Sequence, residues 1–504
     1  MSAMQSRSVL KTRIGGRAAV PSPATGVVLQ PTPWTRPHSS APELVPELVF
    51  TLEARRYAAR QLIMRSGAPA DLLQNWELEV NDSETVLHLD PNTRVRFRHA
   101  PGTFWRDLLA GRYSVAHARW PIIPARQPSS SSDLVVPFVD HSYEGPLFIK
   151  TGERTWECPV DILASILLTL SRFEELLPGE RDIHGRFLAA HSVAFLYKYL
   201  HRPIVDEYGL AFEEVIQCLL PNWKPSQRKL RVKLSHDIDE VGIPLDLSNT
   251  LGHTIKRRKP WATVRDLLSP ALHIRPALLD SVLAIARLSE EKGVRSAFYW
   301  KCCARTGFDS GYDICNPAVL RIISELKERG VEQGVHPGYH TFDDPSQLRN
   351  EIEQLRQVLG QQAVGGRQHF LRWHPVMWLE WERLGLAYDS TVGFSDKVGF
   401  RSGTCIPYRP WSLILNREIA LLEIPLVAMD VTLKYYMDLS EEQCTATLRQ
   451  CIDACRKVGG VFTLLWHNRS LLDPNYGHTY QTILAELGSS PDFDFLESTP
   501  VAFR

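Results

Sequence analysis

From residue 229 onward the sequence alternates short apolar segments with longer amphipathic ones, and this alternation constrains the fold more than any other feature. The short segments have the length and composition of buried strands, and the longer ones carry apolar residues at helical spacing. Because strands separated by helices pair in parallel with the helices outside, the sequence predicts an α/β fold, either a barrel or an open doubly wound sheet. The predicted strands are RKLRVKLSHD, VRSAFYW, VEQGVH, LAYDSTVGF, LLEIPLV and VFTLLWHN, and the predicted helices are LLDSVLAIARLSEEKG, NPAVLRIISELKERG, PSQLRNEIEQLRQVLG and EEQCTATLRQCIDACRKVG.

The chain of 504 residues is too long for one ordinary hydrophobic core, so two domains are expected. Residues 1–45 are rich in Pro, Ser, Gly and Arg, which predicts a flexible tail. Residues 46–225 mix strand and helix patterns, which predicts a smaller α+β domain, and PNWKPSQRK (221–229) is the predicted linker to a domain over 226–504. The helical patterns of the first domain are ELVFTLEARRYAARQLIMRSG, DILASILLTLSRFEELL and VAFLYKYLHRPIVDEYGLAFEEVIQCLL.

Charge and composition argue against several classes of protein. The 57 basic and 57 acidic residues give a formal net charge of zero, whereas a general nucleic-acid or membrane-surface binder would show a basic surplus. The N-terminus lacks the apolar core of a secretory signal, and no segment has the apolar length of a membrane span. Nine cysteines without a CxxC pair indicate a reducing compartment rather than disulfides or a cysteine zinc cluster. We therefore expect a cytoplasmic protein.

The first candidate site is SHDIDEVG (235–242), at the end of the first predicted strand of the second domain. Asp237 and Asp239 are two residues apart, so in an extended chain their side chains share a face while Ile238 points into the wall. Two carboxylates aimed at one point repel each other unless a cation or a proton intervenes. The alternative is a pair of exposed loop acids.

The second candidate site is GVHPGYHT (334–341), which also follows an apolar strand. Pro337 suits the first position of a helical turn, and one turn would place His340 beneath His336 at a spacing that chelates metals. With Asp239 these two imidazoles make three protein ligands and leave a fourth position open, as in catalytic sites. A third strand, VFTLLWHN, ends in His467, which could serve as a general acid or be structural.

The motifs SHDID, HPGYH, GGRQHFLRW and LLWH, in this order over residues 228–504, resemble the polysaccharide deacetylase family, the NodB-homology or carbohydrate esterase 4 group. The resemblance implies a distorted (β/α) barrel that removes acetyl groups from N-acetylated sugars with a divalent metal. It implies Asp237 as general base, Arg367 as the partner of that base and His467 as acid. It also implies Asp239, His336 and His340 as the metal ligands. The segments LSRFEELL and DIHGRFLAAHS resemble the N-terminal region that accompanies a bacterial subset of these enzymes.

Two departures from the family pattern leave alternatives open. The usual adjacent aspartates are replaced by Asp-x-Asp, and the usual Arg-x-Pro is replaced by Arg367-Gln368-His369-Phe370, which leaves the backbone oxyanion donor unidentified. The substrate is expected to be an N-acetylated glycan or glycan precursor, not nucleic acid. The alternatives are an amide hydrolase acting on a non-sugar substrate and a catalytically silent glycan-binding barrel.

Further side chains near the motifs are predicted to support the reaction. Asp430 is the predicted orienting acid for His467, because it also ends an apolar strand, and Asp389 in YDSTVGF is its competitor. Zn²⁺ is the foremost metal, although Co²⁺, Ni²⁺ and Mn²⁺ also suit imidazole and carboxylate ligands. The basic segment KRRKPW (256–261) either contacts an anionic substrate or is solvated. The predicted substrate contacts, each of which could instead be a packing or surface residue, are Tyr339, His369, Arg372, Trp373 and Arg401. The oligomeric state is open.

Overall fold

The structure is a computed structural model that describes residues 50–68, 76–119, 133–242, 277–303, 305–362 and 364–489, with the backbone of 493–495. The predicted tail at 1–45 and the segment KRRKPW lie outside the described residues. Among the described helices, none is long and apolar enough to cross a membrane. All nine cysteines carry free thiols, and Cys451 and Cys455 lie on the buried face of one helix.

The described residues between 50 and 221 form two sheets with helices packed against them. The larger sheet has the strand order β1-β2-β3-β8-β7, in which only the β3–β8 pair is parallel, and the smaller has the order β5-β4-β6. The strands are β1 (Glu77–Val80), β2 (Glu84–Asp90), β3 (Thr93–Arg98), β4 (Ser114–Arg119), β5 (Asp133–Val139), β6 (Glu144–Pro146), β7 (Ile149–Gly152) and β8 (Thr155–Cys158). The helices are α1 (Leu52–Arg65), α2 (Phe104–Leu109), α3 (Ile162–Leu170), α4 (Val193–Leu196) and α5 (Ile204–Leu219).

Two predicted helices of this part are shorter in the structure than their apolar periodicity indicates. The first, α3, ends at Leu170 because Arg172 takes a left-handed backbone conformation with φ of 54°, after which a short 3₁₀ turn begins. The second pattern is split into α4 and α5, because Lys198 has φ of 60° and Pro203 precedes the new helix. Left-handed residues end an α-helix locally, and periodicity alone does not reveal them.

The described residues from 230 onward form a parallel sheet with helices between its strands. The strand order is β11-β10-β9-β17-β16, with β18 also paired to β9, and β12 pairs in parallel with β15. The strands are β9 (Leu230–Ile238), β10 (Ser296–Trp300), β11 (Glu332–Val335), β12 (Tyr388–Asp389), β13 (Trp411–Ser412), β14 (Arg417–Glu418), β15 (Leu422–Glu423), β16 (Ala428–Met429), β17 (Val461–Leu465) and β18 (Phe493–Phe495). The helices are α6 (Ala277–Glu291), α7 (Pro317–Glu328), α8 (Pro345–Leu359), α9 (Pro375–Arg383), α10 (Glu441–Val458) and α11 (Pro474–Ser489).

Local sequence explains these elements. Every residue of β10 and β17 is buried, as expected for parallel strands covered by helices on both faces. Helix α8 begins with Pro345 after the Asp344 cap and ends at Gly360, whose φ of 64° suits glycine. Helix α10 begins with a capping box between Ser440 and Gln443. The alternation of strand and helix signals therefore gives the parallel sheet that it predicts.

The ladders among the described residues do not join into one continuous ring. Isolated parallel bridges at Gly366 connect Val335 of β11 to Asp389 of β12. After β15 the chain returns toward β17, where the N–H of Val427 donates to the carbonyl of Thr463 at 3.1 Å. The structure thus has a mixed α/β fold with a parallel sheet, and closure into a distorted barrel stays a prediction.

Buried charges join the two parts of the chain. Arg401 donates to Glu175 from Nε at 2.9 Å, and both side chains are 1% exposed. Asp206 of α5 accepts from Arg65 of α1 at 2.8 Å and from the backbone N–H of Cys405 at 2.8 Å. The apolar core around α1, α3 and α5 also includes side chains from the second part, such as Phe394 and Trp411. The N-terminal part is therefore packed against the parallel-sheet part through a buried contact.

Candidate active site

Neighbouring parallel strands bring their carboxyl ends together, and a polar residue stands at or just after each end. Asp237 and Asp239 lie at the end of β9, Lys301 follows β10, and His336 follows β11. On the other side of β9, His467 stands two residues beyond β17. Because the ends of adjacent parallel strands lie at one edge of a sheet, these five side chains converge there.

Asp239, His336 and His369 form a compact cluster, and one ligand-type atom from each lies within 4.8 Å of the others. Asp239 Oδ1 lies 3.2 Å from His336 Nε2 and 3.3 Å from His369 Nε2. Among the described residues, Asp239 Oδ1 and His336 Nε2 are buried and make no hydrogen bond. Because burying polar atoms without a hydrogen bond is costly, the arrangement indicates a site for a cation.

Both imidazoles of the cluster are held through Nδ1. His336 Nδ1 donates to the carbonyl oxygen of Arg367 at 2.7 Å, which places a proton on Nδ1 and turns Nε2 toward Asp239. His369 Nδ1 lies 2.7 Å from Asp309 Oδ1. Metal-binding imidazoles are usually oriented by a carboxylate or a carbonyl on the far side of the ring. Here both Nε2 atoms point toward Asp239, so all three side chains could bind one metal ion.

The Lys301 ammonium lies beside the same cluster. Its Nζ is 3.0 Å from Asp239 Oδ1, an ion pair without hydrogen-bond geometry, and 2.9 Å from His369 Nε2. It also lies 3.2 Å from Asp309 Oδ1, and the side chain is 1% exposed. Burial favours neutral Lys301, but the carboxylates of Asp239 and Asp309 outweigh it and raise its pKa. The lysine therefore brings a full positive charge to the atoms that would bind a metal.

Electrostatics sets the charge states around this lysine. Burial would raise the pKa of Asp239, but Lys301, His369 and His336 hold it well below its usual range. Burial first, and then the Lys301 charge, lower the pKa of His369 to about 4. At neutral pH the cluster therefore combines an ionised carboxylate with a neutral imidazole, the protonation states that metal binding requires.

Asp237 lies beside this cluster and is paired with Arg367. The Arg367 guanidinium donates to Asp237 Oδ1 at 3.0 Å, and its other donors are satisfied by Ser235 Oγ at 2.9 Å and the Ser390 carbonyl at 2.8 Å. Arg367 is fully buried and Asp237 is 2% exposed. Asp237 Oδ2 lies 3.6 Å from His336 Nδ1. The structure thus brings together Asp237 and Arg367, two residues that the family resemblance pairs.

His467 pairs with Asp430, whereas its predicted competitor Asp389 bonds elsewhere. His467 Nδ1 lies 2.7 Å from Asp430 Oδ1, and Asp430 Oδ2 accepts the His467 backbone N–H at 2.9 Å. Asp389 instead accepts the backbone N–H of Thr391 at 2.9 Å. Burial would lower the pKa of His467, but the Asp430 carboxylate outweighs it and raises that pKa to about 9. His467 Nε2 faces the cluster, 3.5 Å from Asp239 Oδ2.

His340 does not join the cluster, contrary to the geometry expected from its spacing. The predicted helical turn from Pro337 does not form: Gly338 is extended, and a 3₁₀ helix begins only at Tyr339. His340 is exposed, so it does not lie beneath His336. The third member of the cluster is His369, which the sequence had suggested as a substrate contact.

The structure places the remaining predicted substrate contacts in structural roles. Arg372 is saturated by the carbonyls of His184 and Tyr339 and by Asp343. Trp373 and Arg401 are each 2% exposed; Trp373 packs on a neighbouring tryptophan, and Arg401 bonds to Glu175. Tyr339 is buried, with its hydroxyl 3.2 Å from His184 Nδ1.

Sequence reasoning missed Lys301 and Asp309. Lys301 could have been found, because it ends the strand VRSAFYW between the two strands that carry the other motifs. Asp309 lies in a loop, and no sequence pattern distinguishes it from an exposed acid, although it is buried in the structure. Its role emerges only from the 2.7 Å contact with His369.

Comparison with known proteins gives partial matches. Residues 110–221 match the model of DUF7033, a family of unknown function. Two structures provisionally named polysaccharide deacetylases, from Mycobacterium smegmatis and Pseudomonas aeruginosa PAO1, each align with 54% of this chain and 88% of their own. Their identities are 17% and 15%, with TM-scores of 0.38 and 0.36.

A third structure comes from Bordetella bronchiseptica and is provisionally described as a polysaccharide deacetylase involved in O-antigen biosynthesis. It aligns with 53% of this chain and 86% of its own at 15% identity, with a TM-score of 0.24. No curated protein matches the chain. Superpositions with TM-scores this low do not establish a shared fold, so the function has to be argued from the site itself.

Proposed function

We propose that this chain is a metal-dependent hydrolase that removes the N-acetyl group from an N-acetylated sugar of a glycan or glycan precursor. The observation that carries the proposal is the cluster of Asp239, His336 and His369, in which the buried atoms Asp239 Oδ1 and His336 Nε2 make no hydrogen bond among the described residues. The proposal that the substrate is a sugar rests on the motif resemblance of residues 228–504. The activity is assigned to residues 226–504, with 46–225 as an accessory domain.

The donor set of the cluster fits a divalent ion. One carboxylate and two imidazoles suit Zn²⁺ foremost, and also Co²⁺, Ni²⁺ and Mn²⁺. In this proposal Asp239, His336 and His369 hold the ion, and Asp309 orients His369 from behind. When bound, such an ion supplies Lewis acidity toward an amide carbonyl and toward a water.

Asp237 is the proposed general base. Its carboxylate lies next to the cluster but is anchored on Arg367, so it is available to accept a proton from the attacking water. Arg367 also places a positive charge 3.0 Å from this carboxylate. Because Arg367 is fully buried and also bonded to Ser390 and Ser235, it fixes the orientation of the carboxylate.

His467 is the proposed general acid. Asp430 holds its Nδ1 and raises its pKa to about 9, so the ring is protonated at neutral pH and can donate a proton from Nε2. The water oxygen adds to the amide carbon, Asp237 takes the water proton, and the C–N bond breaks as His467 protonates the leaving nitrogen. The products are acetate and a free amine on the sugar.

The test compares three histidine variants of the purified protein. We expect His336→Ala and His369→Ala to lose bound metal, measured by elemental analysis, and to lose acetate release, measured by mass spectrometry. His340→Ala, the matched control three residues after Pro337, should keep both. Metal retained by His369→Ala but lost by His340→Ala would contradict the ligand assignment.

The substrate class is tested in the same assay. N-acetylhexosamine conjugates should turn over much faster than simple N-acetyl amides of similar size. Equal turnover of the two would favour a non-sugar amide hydrolase. The segment Arg367-Gln368-His369, which departs from the family's Arg-x-Pro pattern, is the reason for testing this alternative. Metal and sugar binding without acetate release would indicate a catalytically silent barrel.

A further inference from the structure

The segment that carries His369 has an unfavourable backbone. The two residues after His369, Phe370 and Leu371, have φ of 61° and 53°, and neither is glycine. Left-handed conformations are costly for residues with a Cβ atom, and they persist only where surrounding contacts enforce them. Two in succession next to a proposed metal ligand require an identifiable restraint.

The restraint comes from the N-terminal part of the chain, in the turn Asp182–Arg186. The Arg186 guanidinium donates to the carbonyl oxygen of Phe370 at 3.1 Å. The carbonyl of His184 accepts from Arg372 Nε at 2.8 Å, and the His184 ring packs on the Phe370 ring with centroids 4.7 Å apart. The strained residues are thus held on both sides by one turn.

The turn itself is rigidly built. Asp182 Oδ1 accepts the backbone N–H groups of His184 and Arg186, each at 2.9 Å, and Asp182 Oδ2 accepts from Arg186 Nε at 2.7 Å. Arg186 also donates to the hydroxyl of Tyr436 at 2.9 Å, and its side chain is 5% exposed. A buried guanidinium with this many fixed partners holds the Phe370 carbonyl in one position.

We propose that the turn Asp182–Arg186 is a positioning element that locks the backbone after His369 and so aims the His369 imidazole at the metal cluster. This gives a role to the segment that matches a family of unknown function, since residues 182–186 lie inside the matched range 110–221. The effect on metal binding rests on the proposed function, whereas the effect on the backbone does not.

The first experiment measures the backbone directly and needs no metal. Arg186→Met removes the bond to Phe370 but keeps a long side chain, and the matched control is Arg202→Met. Arg202 lies in the same N-terminal part and pairs with Glu207 at 2.6 Å. We expect faster amide hydrogen exchange across residues 366–373 in Arg186→Met and unchanged exchange there in Arg202→Met. Equal exchange in both variants would overturn the proposal, even if the chain bound no metal at all.

The second experiment measures the consequence for the cluster. Arg186→Met should weaken Zn²⁺ binding about tenfold to a hundredfold in a chelator competition assay, in the range for lost outer partners of metal ligands. The visible spectrum of the Co²⁺ form should change as His369 leaves, and Arg202→Met should leave both readouts unchanged. Faster exchange with an unaltered affinity and spectrum would overturn the link to His369.

A double-mutant comparison separates the strain from a general loss of stability. Phe370→Gly removes the conformational cost at one of the two left-handed residues, so the backbone depends less on Arg186. In that background Arg186→Met should reduce Zn²⁺ affinity by a clearly smaller factor than in the wild-type chain. The same factor in both backgrounds would overturn the proposal. If Arg186→Met alone fails to fold, Arg186→Lys takes its place in the same comparison.

Discussion

Lys301 places a positive charge among the atoms that would bind a metal ion. Its Nζ lies 3.0 Å from Asp239 Oδ1 and 2.9 Å from His369 Nε2. Unit charges about 4 Å apart interact by roughly 4 kcal/mol at the effective dielectric constant of a protein. A divalent ion on these atoms must therefore move the ammonium aside or tolerate its repulsion.

We predict that Lys301→Met raises the affinity of the cluster for Zn²⁺ by at least about tenfold, because the methionine side chain keeps the volume but removes the opposing charge. Isothermal titration with Zn²⁺ measures the change. Lys327→Met, at an exposed position on α7, is the control and should bind Zn²⁺ as the wild type does. Weaker binding by Lys301→Met would mean that the ammonium supports the site instead of competing for it.

Asp430 gives a prediction about pH. His467 has to be protonated to act as an acid, and Asp430 helps to raise its pKa to about 9, so activity should fall above that pH. In Asp430→Asn the carboxylate charge is gone, so the pKa falls and the alkaline limb of the kcat profile should move down by at least about one pH unit. Asp453→Asn, on the exposed side of α10, should leave the limb in place. An unmoved limb in Asp430→Asn would assign the acid role to another group.

At the scale of elements, strand ends explain which parts of the site the sequence could predict. Asp237, Asp239, His336 and His467 follow apolar strands, and the rule that adjacent parallel strands end at one edge predicts their convergence. His369 could not be placed in this way, because its position depends on the left-handed residues Phe370 and Leu371, which no pattern encodes. The predicted position of His340 failed because a histidine spacing suggests a helical turn but cannot show that Gly338 is extended.

The close approach of two strands at Gly366 predicts that this position tolerates only glycine. Gly366 bridges Val335 and Asp389, and a Cβ atom there would lie 1.9 Å from the Val335 carbonyl oxygen. We expect Gly366→Ala to lower the free energy of unfolding by about 1–3 kcal/mol or more, because the strands must separate. Urea denaturation measures the change. Gly307→Ala, where no described atom lies within 4 Å of the added atom, should cost much less.

A second consequence of the same substitution concerns Arg367, the next residue. Its backbone N–H donates to the Val335 carbonyl at 3.0 Å, so separating the strands also displaces the partner of Asp237. Gly366→Ala should therefore lower kcat more than Gly307→Ala does at matched fractions of folded protein. Equal kcat values in the two variants would show that this strand contact is not needed to place Arg367.

At the scale of the whole molecule, the N-terminal part is joined to the parallel sheet by buried charges as well as by apolar packing. Glu175 is the centre of this junction, since it accepts from Arg401 at 2.9 Å and from Arg172 at 2.8 Å. Composition and length predict two domains. The junction could not be predicted, because Glu175 and Arg401 lie 226 residues apart in the chain. A buried pair of this kind is costly to break, because the remaining guanidinium groups stay buried without their counter-charge.

We therefore predict that Glu175→Gln destabilises the protein by about 3–5 kcal/mol at pH 7, measured by urea denaturation followed by tryptophan fluorescence. Burial raises the pKa of Glu175, but Arg401 and Arg172 outweigh it and lower that pKa to about 2. The folded pKa lies below the ordinary value of 4.5, so the stabilisation is complete above about pH 4.5 and is lost as the pH falls toward 2. The difference between Glu175→Gln and the wild type should consequently shrink over this acidic range. Glu180→Gln, at a side chain that is 90% exposed, should match the wild type at every pH. A Glu175→Gln penalty that persists unchanged at pH 2 would mean that packing, and not the charge pair, holds the two parts together.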